Sequence, residues 1–241
     1  MPHGITLTAY IHWVTFGYIF IFGYPGHRIM NEEQAILNFF SQPENLSLAL
    51  SVGEHMDQLR KQMNNRLWQE LRMRLEQVIR EHGLAWHVEF TDDKNAPEYL
   101  LGLHFTLASE QSLYLRPMIE QQYLGGEWRI YFGLAWSTAS APGPLEFSAI
   151  ANLKASLQKA RFKSNESFLA WQWTAFHPRR KDFLLRYARN PEQLLEEFVT
   201  IFATLLIDHR EAIEQANQIL GTTASRSLSS SLGQLRDELL D

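Results

Sequence analysis

The chain has 241 residues, 45% of them hydrophobic and 20% charged, enough to bury a core without covalent staples. It has no cysteine, which excludes disulfides, thiolate metal centres and cysteine nucleophiles and fits a reducing, cytoplasmic setting. The net charge of −5 alone argues against a strongly nucleic-acid-binding chain, yet nine Lys or Arg against two acids between Lys154 and Arg189 leave that segment at +7 and the remainder at −12.

The first 27 residues carry no charged side chain. Residues 5–24 are long enough to cross a bilayer as a helix, but Thr6, Thr8, His12, Thr15, Gly17 and Gly23 dilute the run. No basic region precedes it and no small-residue cleavage site follows. Residues 1–29 therefore have three readings: a start placed too far upstream of Met30, a membrane segment, or an element docked on the domain. The second would make this a membrane-attached interaction protein.

Asn31 to Gln42 reads as a short helix with Ala35, Ile36, Phe39 and Phe40 inward, ended by Pro43. Leu46 to Val52 alternates like a strand but runs unbroken into a helix, so its type stays open. From about Glu54 to His82 the spacing of Met56, Leu59, Met63, Leu67, Leu71, Leu75, Val78 and Ile79 predicts a long amphipathic helix, with Gly83 at its end.

Strand patterns follow at Leu84–Thr91, Tyr99–Leu107, Leu113–Ile119 and Glu127–Trp136, the third interrupted by Pro117. Gly125-Gly126 reads as a turn, and residues 137–144 as a loop. A helix is expected over 145–162. The strand at Phe168–Phe176 places Leu169, Trp171, Trp173 and Ala175 on one face, taken as the packed one. Lys181–Ala188 reads as a helix. Asn190-Pro191 caps a last long helix with Leu194, Phe198, Ile201, Phe202, Leu205, Ile213 and Ala216 buried. The expected fold is α+β: an antiparallel meander of about five strands packed against long amphipathic helices. The organisation is one domain over 30–221 and a Ser-rich tail over 222–241.

Four constellations bear on chemistry. Asp92-x-Lys94 after a strand has the spacing of a metal-dependent nuclease, with Glu81 or Glu89 as second acid, and would call for Mg²⁺; a polar hairpin turn explains the same residues. His82, His87 and His104 could meet across neighbouring elements, but no metal-binding spacing supports a site, and no cofactor is expected. Gly125-Gly126 lacks the lysine and hydroxyl of a phosphate loop. The basic stretch is the strongest candidate. Lys154, Lys159, Arg161 and Lys163 precede the Trp171-Gln172-Trp173 strand, and Arg179, Arg180, Lys181, Arg186 and Arg189 follow it. Cations bracketing aromatics suit phosphate and base contacts, although pairing with Glu192, Glu196, Glu197, Glu211 and Glu214 would also account for them.

The order of a long helix with Arg66-Leu67-Trp68, a meander with Trp128-Arg129-Ile130-Tyr131-Phe132-Gly133-Leu134, then Leu169-Ala170-Trp171-Gln172-Trp173 and a closing helix resembles the C-terminal half of bacterial PD-(D/E)XK nuclease-superfamily proteins linked to defence. The similarity spans about 31–220. The family's upstream core, with its E-x-K strand, has no counterpart here. The resemblance thus implies a non-catalytic accessory or recognition module, binding nucleic acid or a separately encoded nuclease subunit, and transfers no catalytic residue.

Overall fold

In the computed structural model, residues 32–107, 113–122, 128–137 and 147–222 are described. Residues 1–29, the 5–24 run, Gly125-Gly126, most of the 137–144 loop and the tail from 223 lie outside them. The chain divides at Met56/Asp57 into two compact units.

In the first unit, α1 (Glu32–Phe40) stops at the turn before Pro43, where α2 (Pro43–Glu81) begins. Pro43 opens a helix rather than merely ending one, because its missing N–H falls where a first turn has no acceptor for it. The ambiguous 46–52 stretch is helical. Asn45 is buried, and its amide donates to the Phe39 carbonyl at 3.1 Å, closing the C-terminus of α1. The expected inward set is half corrected: Ile36 and Phe39 are exposed, while Ala35 and Phe40 are half-buried.

The second unit carries the sheet. Its strands are β1 (Trp86–Asp92), β2 (Leu100–Leu107), β3 (Leu115–Gln121), β4 (Ile130–Trp136) and β5 (Phe168–Trp173), in spatial order β1-β2-β3-β4-β5 and antiparallel throughout. The α+β meander is therefore as the sequence predicts. Pro117 does not break β3. Instead the β2–β3 ladder stops at Met118, next to the proline that could not donate to it. Helices α3 (Ser148–Lys159), α4 (Lys181–Arg189), α5 (Pro191–Asp208) and α6 (210–222) complete the unit. The expected single closing helix is interrupted at His209, and Thr222 still belongs to α6 rather than to the tail.

Strand alternation sends Val88, Leu103, Phe105, Ile119, Ile130, Phe132, Leu134 and Trp136 to one face, where they meet Leu67, Trp68, Leu71 and Leu75 of α2 and Phe198 and Phe202 of α5 in the core. Phe202 lies 5.0 Å from Phe105 and 6.3 Å from Phe132, ring to ring. Two stripe positions are corrected: Leu59 and Ile201 are exposed, while Trp68, outside the predicted stripe, is fully buried. Asn217 reaches in from α6, and its side-chain amide both accepts from Leu115 N–H (2.7 Å) and donates to Leu115 C=O (3.1 Å).

Candidate nucleic-acid interface

The opposite face of the sheet is built from the residues between the core positions. Cross-strand pairing lines them up in rows. One row runs Thr91, Gly102, Glu120, Tyr131, Trp173; the next runs Glu89, His104, Met118, Gly133, Trp171. Each row contains a glycine for a steric reason. A Cβ on Gly133 would stand 2.1 Å from the Ala170 oxygen and 2.7 Å from Trp171 Cα, and one on Gly102 would stand 2.3 Å from the Ile119 oxygen.

Trp171 and Trp173 belong to this outer face, which corrects the expectation that they pack with Leu169. A register shift between Leu134 and Ala135 separates the two ends of β5. Leu169 and Ala170 are buried, whereas Phe168, Trp171 and Trp173 are half-exposed beside Tyr131. Tyr131, Trp171 and Trp173 meet pairwise edge-to-face, with centroids 5.4–6.4 Å apart. Phe168 adds a fourth ring 5.8 Å from Tyr131.

Cations cover the indoles. The Arg129 guanidinium lies 4.6 Å from the Trp173 ring and Lys163 Nζ 5.6 Å from that of Trp171. Arg161 explains how Lys163 gets there. It takes φ 69° just after α3, a conformation that favours glycine, and Phe162 N–H closes back on Leu157 C=O at 3.0 Å. This turn sends Phe162 towards Phe132 (5.5 Å) and Lys163 into a β-bridge opposite Trp171. The Nε–H of Arg116, the Nε–H of Arg129 and the indole N–H of Trp171 are enclosed with no acceptor.

The other half of the face is a polar network. Thr91 Oγ1 donates to Glu120 Oε1 (2.8 Å) and lies 3.1 Å from His104 Nδ1; His104 Nε2 lies 3.2 Å from Glu89 Oε2; Tyr131 O–H donates to Glu120 Oε2 (2.8 Å). Burial first, then the charge and hydrogen bond of Glu120, hold the Tyr131 phenol above its ordinary range, so it stays a donor.

The residues singled out in sequence are distributed unevenly. Lys159 ends α3, Arg161 makes the turn, and Lys163 lies over the aromatic face. Lys154 is half-buried on α3, and Arg189 is exposed at the end of α4. Arg179 and Arg180 precede α4, with Lys181 in its first turn, and all three are exposed. Arg186 pairs with Glu197 across α4 and α5, as the ion-pair alternative supposed, whereas Glu192 and Glu214 take Arg74 and Arg210. Asp92 ends β1 and Lys94 lies in the β1–β2 connection, both exposed; there Asp93 N–H bonds Tyr99 C=O and Asp93 Oδ1 accepts from Asn95 N–H. Glu89 points to the outer face and Glu81 bonds Gln77. Among the described residues no three His, Asp or Glu are grouped to hold a metal ion. No described helix is long and apolar enough to cross a membrane. A water-sized cavity lined by Arg60, Asn64, Trp128 and Tyr187 is too small for a cofactor.

Arg116, Arg129 and Tyr131 were missed because alternation does not say which face is solvated. The available signal was Gly133: a strand glycine surrounded by aromatics marks a place where neighbouring side chains lie across the backbone. Comparison with protein-family models, curated proteins and solved structures gives no match.

Proposed function

We propose that this protein is a recognition module that holds single-stranded nucleic acid on the outer face of its sheet. In this reading it serves a separately encoded nuclease subunit, the partner implied by the nuclease-superfamily resemblance. The observation that carries the recognition is the cluster of Tyr131, Trp171 and Trp173 with Arg129 and Lys163 set over the two indoles. Half-exposed rings offer stacking surface to bases, and the cations beside them offer charge to phosphates.

The test is a fluorescence titration with single-stranded and duplex oligonucleotides at several salt concentrations. Engagement of Arg116, Arg129 and Lys163 gives a log K against log salt slope of about −2 for single strands. Trp173→Ala lowers affinity by about 1–3 kcal/mol, the usual worth of one stacked base, with the fold intact. Affinity that ignores both salt and Trp173 refutes the proposal.

A further inference from the structure

We propose that the polar half of the outer face is a metal-independent RNA-cleaving site in which Glu120 and His104 act as base and acid. The inference rests on the recognition reading and adds an activity of the chain's own.

RNA carries its own nucleophile, the ribose 2′-hydroxyl. Its cleavage by transesterification therefore asks a protein for a carboxylate or imidazole to take a proton, a second group to give one, and positive charge near the phosphate. No nucleophilic side chain and no metal is required. The network supplies that pair. One hydroxyl, Thr91 Oγ1, is held between Glu120 Oε1 at 2.8 Å and His104 Nδ1 at 3.1 Å. The two groups are thus spaced so that a single hydroxyl spans them. A ribose hydroxyl entering beside Thr91 meets the same carboxylate. Tyr131 fixes the other oxygen of Glu120 at 2.8 Å, and Glu89 steadies the far nitrogen of His104 at 3.2 Å.

The position fits the recognition surface. Glu120, Tyr131 and Trp173 are consecutive members of one cross-strand row. With neighbouring strands about 4.8 Å apart, a base stacked on Tyr131 or Trp173 leaves its ribose and phosphate within reach of Glu120 and of His104 in the adjoining row. The same atoms superficially form a Glu89–His104–Thr91 triad. That alternative is weaker, because the Thr91 proton is committed to Glu120 rather than to the imidazole.

In the proposed step Glu120 takes the 2′-hydroxyl proton, and the 2′-oxygen forms a bond to phosphorus. The bond from phosphorus to the 5′-oxygen breaks, and protonated His104 delivers a proton to that oxygen. The products are a 2′,3′-cyclic phosphate and a free 5′-hydroxyl, with no redox change and no co-reactant.

The experiment incubates the full chain with a single-stranded RNA in EDTA, alongside the same strand made all-deoxy, and with Glu120→Gln and His104→Gln variants checked for fold by circular dichroism and for RNA binding by Trp fluorescence. The expected result is cyclic-phosphate product from RNA only, with each variant binding as before and cleaving at least about 100-fold more slowly. RNA that binds wild type but stays intact overturns the activity and leaves recognition standing. Absence of binding overturns both. Cleavage that needs a metal ion, yields a 3′-hydroxyl, or persists in both variants also overturns the proposal.

Discussion

The two faces of the sheet come from the same five strands and share one alternation, yet they use aromatic side chains in opposite ways. On the inner face Phe105, Phe132 and Phe202 are enclosed and have no polar atom to satisfy. On the outer face Tyr131, Trp171 and Trp173 keep part of their surface open and carry polar atoms, and the two indoles sit under cations. Rings that serve only the core need filling volume. Rings that serve a ligand need a free face and charge nearby. The difference is therefore one of what surrounds the ring, not of how aromatic the strand is.

Two substitutions of very different size probe that contrast. Phe202→Ala empties the inner layer and is expected to cost about 3–5 kcal/mol in denaturant unfolding, with nucleic-acid affinity unchanged wherever the protein remains folded. A cost below about 1 kcal/mol would mean that the inner face is not the core described here. Arg186→Ala removes an exposed ion pair with Glu197 and is expected to cost less than about 1 kcal/mol and to leave affinity within twofold. A large loss of binding in that variant would return the interface to the α4 region.

Much of the fold was legible because burial and periodicity coincide. The β1 alternation of Trp86 and Val88 and the apolar spacing of Leu67, Leu71 and Leu75 read directly as core. The proposed interface was legible only in part. Lys163 and the Trp171-Gln172-Trp173 strand stood out, but their face did not, because the register shift at Leu134/Ala135 has no local signature in sequence. The Glu120–Thr91–His104 network joins residues 13 to 29 positions apart, through strand pairing that no motif records. Clustering in sequence also could not show that Arg186 pairs with Glu197, since a helix turns successive charges in different directions.

The most direct test of the central claim follows the indole N–H signals of the uniformly ¹⁵N-labelled protein by NMR as single-stranded RNA is added. Trp171 and Trp173 are expected to shift first and most, while the core residues Trp68 and Trp86 stay in place. Unmoved Trp171 and Trp173 signals, with shifts confined to the backbone amides of Arg179, Arg180 and Lys181, would contradict it.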